Sequence, residues 1–344
     1  MIKILELFGG IGACTKALDR LGIDYEIADY VEIDKYAVAS FNAIHNTSFI
    51  PQDICNWNKD IEVDLIMHGS PCQDFSLAGK QAGGDEGSGT RSSLMYETLR
   101  IVEKLKPKYV IWENVKNIIS KKHIHNFNNY INRMSELGYK SFYKVLNAKD
   151  YGIPQNRERV FTISILGDQN FEFPPEQELK LKLKDMLEDE VDEKYYLSKK
   201  AIEGRLTTNY QKYKLNENVI NNKDIHPTIL ARFEGAPTLY INNNTKRGYL
   251  EAYEGDGVYT NTSNKRGTVQ KDMIQTITTF QDKGVVTKDL RIRKLTPKEC
   301  WRLMGFDDED FEKASKVCSN SQLYKQAGNS IVVNVLEAIL KEIL

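Results

Sequence analysis

Lys3-Ile4-Leu5-Glu6-Leu7-Phe8-Gly9-Gly10-Ile11-Gly12 is the stretch on which the architecture turns. Lys3–Leu7 has the length and apolar density of a buried strand, and Ile11–Leu21 has helical spacing. Glycines between a strand and a helix let backbone come close to a ligand at the helix N-terminus. A dinucleotide fingerprint would place a third glycine at position 15, but Thr15 stands there, so pyrophosphate binding is not supported. Moving outward, Tyr25–Val31 is strand-like and Asp34–Asn46 helical. Val63–His68 is a short apolar strand, and Ser93–Leu105 has helical spacing. Tyr109–Trp112 is a strand, Phe127–Leu137 a helix and Val160–Leu166 a late strand. This alternation predicts an α/β fold, a mostly parallel sheet with helices on both faces. Such sheets bind ligands outside the carboxyl ends of their strands.

The alternation stops near Phe171-Glu172-Phe173-Pro174-Pro175. Glu176 to Glu193 carries 3 basic and 8 acidic residues, whereas Lys194 to Arg302 carries 20 Lys+Arg against 11 Asp+Glu. Asn242-Asn243-Asn244 and Gly255-Asp256-Gly257 are loop signals, and Ile274–Phe280 alternates as a strand does. A smaller, irregular β-rich domain is expected, with one basic face suited to a polyanion. Helical periodicity returns in Ile331, Val332, Val335, Leu336, Ile339, Leu340 and Ile343, with Asn329 or Ser330 as the expected cap. The domain expectation is therefore 1–175, completed by a C-terminal helix at 326–344, and a second domain at 176–325.

The 344 residues carry 47 Lys+Arg and 48 Asp+Glu, and 41% are hydrophobic. This globular composition excludes collagen-like and disordered classes. No apolar run approaches the ~20 residues of a membrane span, and the N-terminus lacks the pattern of a signal peptide. The five cysteines include no C-x-x-C pair, so neither a disulfide framework nor a zinc site is expected, and a reducing cytoplasm fits best.

Several strand ends carry reactive side chains. The third strand runs into Gly69-Ser70-Pro71-Cys72-Gln73. A cysteine past the carboxyl end of a central strand is placed for nucleophilic work, and a free thiol titrates near ~8.5. Pro71 limits where that residue can point. A buried structural cysteine is the plainer alternative. Asp74 to Ser93 is polar and glycine-rich, as mobile lids and ordinary surface loops both are. The fourth strand ends in Trp112-Glu113-Asn114-Val115, and Glu113 can share a crevice with Cys72. Gln155-Asn156-Arg157-Glu158-Arg159 precedes the late strand, and alternation places Arg157 and Arg159 on one face. Glu32 follows the second strand where a carboxylate meets ribose hydroxyls, and Asp53 lies in the next strand-to-helix region.

In this order the segments resemble the bacterial and phage C5-cytosine DNA methyltransferases. Phe8-Gly9-Gly10-Ile11-Gly12 resembles the cofactor loop, Pro71-Cys72-Gln73 the nucleophile motif and Glu113-Asn114-Val115 the acid motif. Gln155, Arg157 and Arg159 fill the Q-x-R-x-R pattern. Arg293-Lys294-Leu295-Thr296-Pro297-Lys298-Glu299 and Gly328-Asn329-Ser330 resemble the later motifs. The resemblance implies a Rossmann-like catalytic domain, a target-recognition domain and a last helix packed back on the first domain. S-adenosyl-L-methionine is the implied cofactor, held by Phe8, Gly10, Gly12, Glu32, Ile33, Asp53, Ile54, Leu94, Asn329 and Ser330. The implied catalytic set is Cys72, Glu113, Arg159, Arg157, Pro71 and Gln73, with no metal. Double-stranded DNA is the implied partner, with base flipping required. Its expected contacts are Ser70, Ser76 and Gln155, and candidate base readers are Arg232, Arg247 and Arg266. One departure is Ser70, where the family often has Phe. Restriction–modification or phage DNA protection is the implied setting, with no physical contact implied to any cognate restriction endonuclease. A monomer is the default expectation. Competing readings are a tRNA cytosine-5 methyltransferase, an inactive DNA-binding regulator of the same fold, and a thiol-dependent nicotinamide dehydrogenase. The 133 residues between Arg159 and Arg293 favour a duplex reader.

Overall fold

A computed structural model describes residues 1–71, 91–203, 238–261 and 266–344. The first strand, β1 (Ile2–Leu7), becomes fully buried from Ile4 onward and leads through the glycine loop into α1 (Ala13–Leu21). There follow β2 (Tyr25–Val31), α2 (Lys35–His45) and β3 (Leu65–His68), whose four residues are all buried. Next come α3 (Met95–Leu105), β4 (Tyr109–Val115), α4 (Ile124–Glu136), β5 (Tyr139–Asn147), β6 (Gln155–Asn156) and β7 (Glu158–Leu166). The main sheet has the order β2-β1-β3-β4-β7-β5. The pairs among β2, β1, β3 and β4 are parallel, while β7 runs antiparallel to both β4 and β5. The late antiparallel strand turns the carboxyl end of β4 and the start of β7 toward each other, and this end carries the site.

After a short helix, α5 (Lys199–Glu203), the small region is built from β8 (Leu239–Asn242), β9 (Tyr249–Ala252), β10 (Gly257–Tyr259), β11 (Val269–Gln270), β12 (Ile274–Gln275), β13 (Lys283–Val286) and β14 (Ile292–Lys294). β11, β10, β13 and β14 form one sheet, and β8 pairs with β9. β12 instead leaves its neighbours and pairs in parallel with β6, joining the two regions.

The chain then forms α6 (Pro297–Arg302), α7 (Asp308–Ser315), α8 (Asn320–Asn329) and α9 (Val333–Ile343). Thr296 and Glu299 close a reciprocal capping box at α6. The Glu299 carboxylate also takes both terminal nitrogens of Arg293 at 2.9 and 2.7 Å, in the interior. Trp301, Leu303, Met304, Leu323, Leu336 and Ile339 from these helices share one hydrophobic core with Ile4, Leu65, Ile111 and Ile163 of the sheet. α9 packs on α1, and α7 on α2. The helices at 297–325 thus belong with the main core, although their place in sequence groups them with the second region. The second face of the sheet holds its own cluster around Leu7, Val110, Trp112 and Phe127.

Two local expectations need correcting. Gln326–Ser330 closes α8 instead of opening the last helix, and Val332 precedes α9 without a side-chain cap. Ser330 is unavailable as a cap because its hydroxyl donates to the Ile331 carbonyl at 3.1 Å. The strand Tyr139–Asn147 had no counterpart in the periodicity. It is an edge strand whose Lys140 and Lys144 point outward and break the apolar run.

Candidate active site

The glycine loop forms the first wall. Phe8, Gly10 and Gly12 all have positive φ, at 54°, 57° and 81°. Gly12 is doubly constrained, because a Cβ there would sit 2.3 Å from His45 Nε2. The Gly10 carbonyl accepts from the Tyr30 hydroxyl at 2.6 Å, and its N–H donates to Glu32 at 3.2 Å. The other Glu32 oxygen accepts from the Asp34 N–H at 2.8 Å. Burial raises the carboxyl's proton affinity, while the N–H donors of Asp34 and Gly10 act against it. Beside it Ile33 is 67% exposed, an apolar face held open to solvent. The Gln52 N–H bonds the Glu32 carbonyl at 2.9 Å, which brings the following Asp53 alongside. Asp53 caps the turn Ile54–Asn56 through Cys55 N at 3.0 Å, with Ile54 buried in the core. Gln52 was not anticipated, because an exposed-looking glutamine after a proline carries no sequence signal. Phe8 and Leu94 pack at the edge of the Trp112 cluster. At the far side Asn329 is exposed and Ser330 buried. An open apolar face, a strand-end carboxylate and a backbone loop with positive φ suit an adenosine-bearing ligand, so these residues fit the expected cofactor.

The acid and one arginine meet at the second wall. In the β4–β7 register Val115 faces Arg159 and Glu113 faces Phe161. From there Arg159 Nε reaches Glu113 Oε1 at 3.0 Å, with both side chains mostly buried. Arg159 also donates to the Glu158 carbonyl at 2.8 Å. Such a carboxylate has its orientation fixed by the guanidinium beside it. Pro71 stands half-buried at the end of the third strand's extension. Cys72, Gln73, Ser76 and Arg232 lie outside the described residues.

Three expected site residues are placed elsewhere. Arg157 does not share a face with Arg159. Its N–H folds back to the Gln155 carbonyl at 3.1 Å, a tight turn between β6 and β7 that breaks the alternation. Its guanidinium, 4% exposed, donates to three backbone carbonyls: Ile277 at 2.9 Å, Gly328 at 3.2 Å and Ser330 at 2.8 Å. Gln155 is fully buried and makes no surface for DNA. Its amide donates to the Leu303 carbonyl at 2.7 Å and accepts from the Ile277 N–H at 2.9 Å. Ser70, expected at a phosphate, is 3% exposed, and its hydroxyl accepts from the Trp112 indole at 3.0 Å. Each is taken by the interior because a buried polar group must find its partner there.

Between the regions opens a cleft of about 760 Å³. Lys116, Asn156 and Arg159 line it from one side, and Tyr259, Arg266 and Thr276 from the other. Arg266 is therefore brought to the same cleft as Arg159. Arg247 is not among the lining residues; it pairs with Glu251 at 2.7 Å and lies over the Tyr249 ring at 4.5 Å. Among the described residues no helix is long and apolar enough to cross a membrane.

The sequence is similar to known methyltransferases over its whole length. It is 33% identical over 402 residues to the type II methyltransferase M2.ScrFI of Lactococcus lactis subsp. cremoris, covering 100% of this chain and 99% of that one. It is 34% identical to the type II methyltransferase M.HhaI of Haemophilus parahaemolyticus, over 98% of this chain and 93% of the relative. An orphan methyltransferase of Bacillus phage SPR, M.SPRI, is 33% identical over 100% of this chain and 97% of its own. The fold resembles that of the Entamoeba histolytica methyltransferase EhMeth, with a TM-score of 0.63 at 17% identity, over 99% of this chain and 97% of that one. The family model for C-5 cytosine-specific DNA methylases matches residues 2–344. The chain is a member of the C-5 cytosine-specific DNA methylase family.

Proposed function

We propose that this DNA cytosine-5 methyltransferase uses Cys72 as nucleophile and Glu113 as the acid that handles the proton on ring nitrogen 3. The observation that carries this reading is the Glu113–Arg159 pair, at 3.0 Å, beside the strand end that continues into Ser70-Pro71-Cys72. S-adenosyl-L-methionine would be held by Phe8, Gly10, Glu32, Ile33 and Asp53 with Leu94 at the edge, and would supply a methyl group on a sulfonium.

Carbon 5 of cytosine is a poor nucleophile inside an aromatic ring. The Cys72 thiolate adds to carbon 6, and the displaced π electrons move toward nitrogen 3, which takes a proton from Glu113. The ring is then an enamine, and carbon 5 carries the reactive electron pair. Arg159 keeps Glu113 oriented and supplies fixed positive charge where negative charge builds on the base. After carbon 5 has been methylated, a solvent base takes its proton, the freed electron pair restores the bond between carbons 5 and 6 and expels the Cys72 thiolate, and nitrogen 3 separately returns its proton to the Glu113 carboxylate. The target atom is unreachable in stacked duplex, so the base is flipped into the cleft. Arg266 lines that cleft and favours a phosphate backbone, while Lys116 there is paired with Glu158 at 2.9 Å.

The enzyme acts on double-stranded DNA as a monomer in the cytoplasm, in a restriction–modification or phage-protection setting. The test offers purified enzyme and methyl donor to duplex DNA carrying 5-fluorocytosine, and to tRNA in parallel. The expected result is a denaturation-resistant protein–DNA adduct that disappears in Cys72→Ala. Methylation of tRNA alone, or an undiminished adduct in Cys72→Ala, overturns the assignment.

A further inference from the structure

We propose that Ser70 is a positioning residue that locks the chain leading into Cys72, at Ser70-Pro71, to the acid-bearing strand and thereby sets the turnover rate. The inference rests on the assignment of Cys72 and Glu113 given above. Ser70 is gripped twice from β4. Its hydroxyl accepts from Trp112 Nε1 at 3.0 Å, and its carbonyl accepts from Asn114 Nδ2 at 3.4 Å. Trp112 and Asn114 are the two residues on either side of Glu113 in the chain. The β3–β4 register sets His68 opposite Trp112, which carries Ser70 toward Asn114 two residues later.

Neither donor is free to wander. Asn114 is buried, and its Oδ1 accepts from the Val115 N–H at 2.8 Å. The Trp112 ring is packed among Tyr130, Phe127 and His68, at centroid distances of 4.2, 5.8 and 5.7 Å. Tyr130 is itself tied to His68 Nε2 at 3.0 Å. The indole N–H therefore points at one spot, and without a partner there it would be buried and unsatisfied. The next residue, Pro71, has no N–H with which to fasten the chain. Two residues of backbone span at most about 7 Å, so fixing Ser70 restricts where the Cys72 sulfur can be delivered relative to Glu113. Displacement of a reacting group by about 1 Å can cost about a hundredfold in rate.

The test uses Ser70→Ala, Trp112→Phe and the double variant in the full chain, assayed on plasmid DNA containing the sites that wild-type enzyme methylates in its host. Each single variant should lower kcat by about tenfold to a hundredfold with KM for DNA within about twofold. The double variant should lose no more than the worse single one, because both changes break the same bond. Adduct formation with 5-fluorocytosine duplex should slow in step with kcat. Unchanged kcat in Ser70→Ala overturns the proposal. So does a raised KM with a shallower salt dependence, which would make Ser70 a phosphate contact. So does a loss of activity that merely tracks the loss of folded protein in thermal melts. Wild-type enzyme that forms no adduct would instead defeat the underlying assignment of Cys72.

Discussion

The strand-end site and the small β region are ordered by different means. The site hangs on a continuous core in which sheet residues such as Leu65, Ile111 and Ile163 meet Trp301, Met304 and Leu336 from the far end of the chain. The small region has seven buried apolar residues, Ile202, Leu239, Ile241, Ala252, Val258, Val286 and Ile292, in its cluster of described residues. Its strands have four residues or fewer. The candidate site thus rests on the main core, and the strand that faces it across the cleft is tied into that same core through Ile274, Ile277 and Val285, while the described cluster around Ile241 stands apart. The two meet through Gln155 and Arg157, which bind Ile277 from both its N–H and its carbonyl. Groups that share a site need fixed geometry, and the strands held by the separate cluster around Ile241 can change with less disturbance to them.

The sharpest way to break this contrast is to compare the two arginines of one motif. Arg157→Ala leaves three buried carbonyls without their donor, at about 1–3 kcal/mol for each unsatisfied group. The protein should lose about 3 kcal/mol or more of stability, while molecules that remain folded keep most of their turnover. Arg159→Ala should lower turnover per folded molecule by about a hundredfold or more, since Glu113 loses the fixed donor that orients it. Thermal melts and kcat corrected for folded fraction check both. Reversed phenotypes would mean that the cleft and the interior have been wrongly assigned. Next in size is a pair of core truncations. Ile163→Ala and Ile241→Ala should each cost about 2–5 kcal/mol locally. The first should lower the main melting transition together with S-adenosylmethionine and DNA binding. The second should abolish DNA binding and raise hydrogen exchange in β8–β10, with cofactor binding kept. Equal loss of both ligands in Ile241→Ala would show one cooperative core instead of two.

What could be read from the residues follows the same divide. Glu113 and Arg159 were legible because strand ends in a parallel sheet converge by topology, whatever the details of packing. The loop from Phe8 to Gly12 was legible because left-handed backbone leaves glycines behind as a trace. Arg157 was misplaced because alternation assumes an unbroken strand, and the turn at Gln155–Arg157 rotates one residue out of phase. Ser70 was misplaced because a serine beside a catalytic motif looks like a ligand contact, and its true partner, Trp112, is 42 positions away. Arg247 shows the complementary limit. A basic residue in a basic region has no local mark that separates a base reader from half of a surface ion pair with Glu251.

The smallest effect tests whether the deep core tolerates charge at all. Glu6 on β1 accepts from both the N–H and the hydroxyl of Thr15, yet burial pushes its carboxyl up from 4.5 to about 7. His68, stacked on Trp112 with Nδ1 unpartnered, is pushed down by burial from 6.5 to about 3. Between pH 4.5 and 7 the folded chain holds a proton on Glu6 that the unfolded chain has released, so this contribution to stability is lost as pH rises. Between pH 3 and 6.5 the unfolded chain holds a proton on His68 that the folded chain lacks, so that contribution is lost as pH falls. Each is worth about 1.4 kcal/mol per pH unit, with opposite sign. From pH 4.5 to 6.5 the two cancel, and the pair leaves no slope in the wild-type profile. Glu6→Gln should uncover the histidine, so that its stability relative to wild type climbs with pH across that window. His68→Asn should do the reverse. Urea unfolding at a series of pH values measures both. Variant curves that run parallel to wild type would mean that Glu6 and His68 keep their ordinary affinities for protons, and that the interior beneath the strand ends is wetter than its packing indicates.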